Sequence, residues 1–203
     1  MPFNTVPAPS SPWVSPGSYT VKLTANGKTY AQPIVVRQDP RVKTPAIVMQ
    51  RIYTLTRAAY RGAVDAQAAV QEAQALREQI ARAKSSASGE AAAALEAFDR
   101  KIEAILATTA SGQRGRGSQA GRGGAGARAD GGAAVTLTDA GAALRTVMNT
   151  LDGADVQPTA LQVATVETAL GNARAAMARW HAAKTTELGA LNTRIASAGI
   201  TIR

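Results

Sequence analysis

Reactive side chains are scarce in this sequence. None of its 203 residues is a cysteine and His181 is the one histidine, so thiolate nucleophiles, disulfide frameworks, Cys-based zinc sites and His-rich metal centres are excluded. Glu96, Asp99 and Glu103 stand three and four residues apart, which places three carboxylates on one helix face. Arg100 and Lys101 lie beside them, and the face reads as solvated rather than as an acid–base pair. His181 falls one step off an apolar seam, next to Trp180, with no second histidine or carboxylate cluster at ligand spacing; it reads as a bystander. Asp152 and Asp155 flank a turn between helices, where carboxylates cap helix ends or meet water, and calcium is the disfavoured reading. The P-loop, zinc-protease, serine-hydrolase and dinucleotide motifs do not occur in a suitable context, and the glycines near 121–126 follow no strand. The expectation is a chain with no catalytic residue, no cofactor and no metal, and not an enzyme.

Positive charge is the next feature that could bind something. The formal net charge is +9, of which residues 1–45 supply +4 and residues 110–134 supply +3. The second segment is mainly glycine, alanine, serine and arginine, including Gln113-Arg114-Gly115-Arg116-Gly117, and is expected to be a disordered surface loop. Arginine-glycine segments bind RNA through phosphate contacts and stacking, but this one has no aromatic residue, so nucleic acid is the disfavoured partner. No stretch of about 20 apolar residues exists, and the expectation is no membrane insertion. Met1-Pro2-Phe3-Asn4 also lacks the basic and apolar regions of a signal peptide.

Periodicity gives the elements. Residues 1–17 contain five prolines with serines between them and read as an extended lead-in. From Ser18 to Thr24, Tyr19, Val21 and Leu23 alternate with Thr20, Lys22 and Thr24; Asn26-Gly27 then supplies a tight turn and a return strand runs to about Arg37. Pro33 marks that second strand as an edge or a bulge. The unit 18–43 is thus a β-hairpin, which has an apolar face and too little sheet to be stable alone. Two readings follow: it packs on the helices, or it is the remnant of an immunoglobulin-like unit whose other strands belong to a parent chain or come in trans.

Residues 44–203 read as a helical bundle. Thr44 is expected to cap the first helix with Pro45 at its first position, and the apolar stripe runs Val48, Ile52, Leu55, Ala59, Ala63, Ala66, Val70, Ala73, Leu76, Ile80 to an end near Lys84. Ser88 is expected to cap a second helix with Leu95, Phe98, Ile102 and Ile105 on its seam. A third follows Thr136 or Thr138 through Leu137, Ala140, Leu144, Val147 and Leu151 to Gly153. Pro158 opens a fourth, with seam Thr159, Val163, Val166, Leu170, Ala173, Met177, Trp180, Lys184, Leu188, Leu191 and Ile195 and a left-handed cap at Gly199. The fold expected is mainly α: a long antiparallel bundle of two long and two short helices behind the hairpin. The long helices, roughly 60 Å each, are expected to run antiparallel. The short ones would then lie side by side in a four-helix section, leaving a two-helix stalk, and the end of the fourth helix would meet the start of the first near the hairpin.

The run Pro16-Gly17-Ser18-Tyr19-Thr20-Val21-Lys22-Leu23-Thr24, with Asn26-Gly27-Lys28-Thr29-Tyr30 and Val35-Val36-Arg37-Gln38-Asp39-Pro40-Arg41-Val42-Lys43-Thr44, resembles the C-terminal region of bacterial exported proteins with sortilin-like (VPS10-type) BNR-repeat β-propellers, often labelled glycosyl hydrolases. Ala154-Asp155, Pro158-Thr159, Trp180, Leu191-Asn192 and Ala198-Gly199-Ile200 are also similar. The resemblance implies an extracytoplasmic location, periplasmic or secreted, and a propeller ahead of this region that would hold any sugar-cleaving or peptide-binding activity. It carries no catalytic residue into this sequence. The function expected is a non-catalytic C-terminal structural or interaction module, a spacer, stalk or docking surface of a larger protein of which this chain is a fragment. The alternatives are a partly seen propeller hydrolase or peptide-binding protein, a nucleic-acid accessory protein acting through 110–134, and self-association through the hairpin edge or open helix faces.

Overall fold

The computed structural model describes residues 11–107 and 134–202. Apart from Ala134, the segment expected as a Gly/Arg-rich loop lies outside them, as does the lead-in up to Ser10. Strand β1 (Gly17–Ala25) pairs antiparallel with β2 (Lys28–Val36), in register from Gly17 opposite Val36 to Ala25 opposite Lys28. Asn26 and Gly27 both adopt positive φ, 51° and 75°, the left-handed pair that a two-residue turn needs to match strand twist. Ala25 and Lys28 close that turn as a hydrogen-bonded pair, so pairs alternate outward from it. Thr24/Thr29, Lys22/Ala31, Thr20/Pro33 and Ser18/Val35 are then the non-hydrogen-bonded pairs. The Thr24 and Thr29 hydroxyls, 3.1 Å apart, fit the closer approach of such a pair. Pro33 therefore sits where the ladder asks for no N–H, and the hairpin accepts it without a bulge.

Among the described residues four helical segments follow: α1 (Ala46–Lys84), α2 (Gly89–Leu106), α3 (Leu137–Asp152) and α4 (Ala160–Ala182). The last continues through a π turn (Ala183–Glu187) into α5 (Leu188–Ile195) and a 3-10 turn (Ala196–Ala198). Two expected caps differ. Pro45 is itself the N-cap of α1, its carbonyl accepting from Val48 and Met49 N–H, because the Thr44 hydroxyl is engaged elsewhere, donating to the Asp155 carbonyl. Ser88 occupies the N-cap position of α2 without a side-chain capping bond. The other two starts are chemically capped: Thr136 accepts from Asp139 N–H, and Thr159 with Gln162 forms a capping box. Gly199 takes the expected left-handed conformation, φ 70°.

The packing corrects the expected arrangement. Gln67 of α1 meets Arg145 of α3, and Arg77 of α1 meets Asp99 of α2. Both short helices thus run antiparallel to α1, one on each half of it. They lie end to end, with Thr138 Oγ1 of α3 donating to the Leu106 carbonyl of α2 at 2.8 Å, and not side by side. Helix α4 returns from α3 parallel to α1: Thr44 meets Asp155 at one end, and Lys184 meets Glu72 further along. The long helices are parallel, not antiparallel, and the end of the fourth helix lies at the far end from the hairpin. Length explains why. With 18 and 16 residues, α2 and α3 together nearly equal the 39 of α1, so in tandem they cover its seam from end to end and leave no bare stalk. The result is a three-helix bundle whose middle, descending rod is broken once.

Burial follows this plan. On α1, Ile52, Ala59, Ala63, Ala66, Ala73, Leu76 and Ile80 are buried as expected, joined by Thr56 and Ala69, while Val48, Leu55 and Val70 are only partly covered. Thr56 satisfies its hydroxyl on the Ile52 carbonyl. The seams of α2 and α3 are buried as read. On α4 the seam turns by one position, because the alanines Ala169, Ala176 and Ala183 face inward where Leu170, Met177 and Lys184 were expected. Small side chains also let α3 approach α1 closely: a Cβ built on Gly141 of α3 would stand 3.5 Å from that of Ala66 on α1. At the far end, the Asn192 amide exchanges hydrogen bonds of 2.9 and 2.8 Å with the backbone N–H and carbonyl of Ile202, which folds the buried Ile202 onto the core.

Candidate functional site

Glu96, Asp99 and Glu103, singled out for chemistry, are taken up in ion pairs within and between helices. Asp99 accepts from Arg77 of α1 at 2.7 Å, Glu103 lies 3.7 Å from the same guanidinium, and Glu96 pairs with Arg100 one turn away. Those carboxylates raise the Arg77 pKa further above its ordinary range, the Asp99 hydrogen bond most of all. Lys101 reaches Glu187 at 2.7 Å. Lys184, placed on the seam by spacing, is exposed and pairs with Glu72 at 2.6 Å, holding that carboxyl below its usual range. Trp180 is buried in the core, as read, with its indole N–H 3.4 Å from Glu72 Oε2. His181 faces outward. Among the described residues, no three of His, Asp or Glu gather where they could hold a metal ion, and no helix is long and apolar enough to cross a membrane.

What the fold does assemble is an apolar end. Cross-strand partners share a face, so Tyr19 with Ile34, Val21 with Gln32 and Leu23 with Tyr30 form one side of the hairpin, and Ser18, Thr20, Lys22, Thr24 and Thr29 lie on the other. Among the described residues no helix covers the apolar side: Leu23 remains 62% and Tyr30 57% exposed. Ile47 in the first turn of α1, Val156 in the α3–α4 turn and Leu161 in the first turn of α4 are exposed at the same end, with Trp13 and Val14 of the segment entering the hairpin. Of the twelve large apolar side chains exposed among the described residues, all but Val64 lie in the hairpin, its entry or this end of the bundle. Along the rest of the rod, Ala94, Phe98, Ala190 and Leu191 line one open groove and Ala75, Leu76, Trp180 and Leu188 another, each of about 240 Å³.

The hairpin is fastened there by its flanks. Gln38 Nε2 donates to the carbonyls of Val42 and Thr44 at 3.2 and 3.1 Å, shaping the run from β2 into α1, and Tyr19 Oη donates to the Ser15 carbonyl at 2.6 Å. Trp13, Val14 and Ser15 close a cavity of about 30 Å³ against Ile52, Tyr53, Leu151, Asp152 and Asp155. Ser15 Oγ and Asp152 Oδ2 are buried there without a hydrogen-bond partner among the described residues. Burial raises the Asp152 pKa to about 6, and the neighbouring Asp155 charge adds to it. Spacing identified Asp152 and Asp155 as turn carboxylates; that the entry segment would fold over one of them had no sequence signal. The Asn192 clasp has no sequence signal either, because an asparagine beside a leucine announces nothing without the returning chain.

No protein-family model, curated protein or solved structure matches the chain.

Proposed function

We propose that this chain is a non-catalytic structural and interaction module: a helical rod acting as spacer or stalk, with a docking surface on one end. The observation that carries the reading is the gathering of exposed large apolar side chains on the hairpin and the adjoining helix starts. Exposed large apolar side chains gathered in this way mark an interaction surface, and a two-stranded hairpin is marginal until something covers it. The occupant proposed is a β-domain, of a longer parent chain or supplied in trans. In the terms of the resemblance, it is the rest of an immunoglobulin-like unit in an exported propeller protein, and hydrolytic or peptide-binding activity would lie in the propeller.

Site-specific photo-crosslinking in the producing cells tests this. A photoreactive residue at Leu23 should give one discrete adduct, and the same residue at Val64, on the bundle wall, none. Adducts at Val64 but not at Leu23 would move the interaction to the helices and contradict the reading.

A further inference from the structure

We infer that the occupant of the docking end adds to the hairpin as an extended, acidic strand along the outer edge of β1, leaving the β2 edge free. This rests on the docking reading above and makes it specific. The non-hydrogen-bonded pairs of the register aim their backbone groups away from the partner strand, so β1 offers Ser18, Thr20, Lys22 and Thr24 outward, and β2 offers Thr29, Ala31, Pro33 and Val35. The two edges differ at one pair. Opposite Thr20, whose N–H points outward, stands Pro33, whose ring carbon occupies the place of the missing donor. The β1 edge is an unbroken row of four donors and four acceptors, whereas the β2 edge is interrupted in its middle. Strand addition takes the unbroken row.

Side chains set the chemistry of the incoming strand. Alternate residues extend the Tyr19, Val21, Leu23 face and must be apolar; those between stand beside Thr20, Lys22 and Thr24. Residues 17–38 hold Lys22, Lys28 and Arg37 and no carboxylate, so an acidic residue opposite Lys22 is matched across the strands. A second copy of this chain is not the occupant, because residues 17–38 hold no carboxylate to set beside Lys22.

The test uses the full chain and a soluble nine-residue peptide alternating valine with glutamate and threonine, against a control with lysine for glutamate. The acidic peptide should bind and slow amide exchange at Thr20 and Lys22 but not at Thr29 or Ala31, and the lysine peptide should bind at least about tenfold more weakly. Thr20→Pro removes an outward donor without touching the ladder and should abolish binding, while Ala31→Pro, the same change on the other edge, should leave it intact. Loss on Ala31→Pro but not on Thr20→Pro overturns the edge assignment, and equal binding of both peptides overturns the acidic partner. Failure of both peptides with the Leu23 adduct retained overturns strand addition but not docking; loss of the adduct as well overturns docking itself. A chain whose mass doubles with concentration, or that binds anionic phospholipid vesicles in place of either peptide, also overturns the proposal.

Discussion

The Asp152 carboxyl, raised to about 6 chiefly by burial, makes a pH-dependent contribution whose sign is fixed. A carboxyl whose folded pKa exceeds its ordinary 3.8 favours the folded state most when protonated. That contribution is complete below about pH 4, shrinks between 4 and 6 and is gone above. Asp152→Asn should therefore raise stability at pH 7.5 by about 1–2 kcal/mol, after allowing for solvent screening at a partly open site, and change nothing at pH 3.5. Denaturant titrations of both proteins at the two pH values check this; a destabilised variant at pH 7.5 would mean that the charge has a partner. Glu72, held low by Lys184, acts in the opposite sense, losing its contribution as pH falls, and cancels in the comparison. At this scale the sequence was legible where a residue's neighbours are its own helix: Trp180 on an apolar stripe reads as core. It was not legible where the partner is distant, since Arg77 and Asp99 meet only once α2 has folded back.

At the scale of elements, the π turn at Ala183–Glu187 keeps α5 in register. Buried positions run Val166, Ala169, Ala173, Ala176, Trp180, Ala183, then Leu191 and Ile195, and the gap between the last two groups holds one residue more than an α-helical seam allows. A π turn absorbs that extra residue without rotating its flanks. Deleting Thr185, which is exposed, should restore plain α-helix, keep Leu191 and Ile195 inside and leave stability within about 1 kcal/mol of the parent, whereas deleting the equally exposed Thr168 in regular α4 turns Trp180 out of the core and should cost at least about 3–5 kcal/mol. Thermal unfolding of the two deletions distinguishes them, and equal losses would contradict the account. The trace of this slip was in the sequence. A seam drawn by threes and fours had to pass through Lys184, a charged residue at a core position, and the structure resolves the conflict by a turn that spacing rules do not include. Helix starts were legible to about two residues, Pro158 lying just ahead of the Thr159 cap of α4; the inward alanines of α4 were not, because spacing prefers Leu170 and Met177 over their smaller neighbours.

On the scale of the whole molecule, local pattern determined the number and length of the helices but not their directions. The antiparallel pairing expected for α1 and α4 assumed that α2 and α3 stand abreast. Their summed length, close to that of α1, was the available clue that they lie in line. Since α3 begins where α2 ends, replacing residues 108–133 by a short Gly-Ser linker should leave the melting temperature of the bundle within a few degrees, read by circular dichroism; a chain that no longer folds would show that the descending rod depends on that segment. The hairpin stands apart from this core, and the gathering of exposed large apolar side chains on it and on the adjoining helix starts is what the proposed docking end rests on. Amide hydrogen exchange on the purified chain tests that claim most directly. The account predicts that amides around Ile52–Ile80 and Val166–Ile195 exchange only through global unfolding, while those of β1 and β2 exchange orders of magnitude faster with the bundle intact. Hairpin amides as slow as the bundle's would show that the sheet is already covered, and would contradict it.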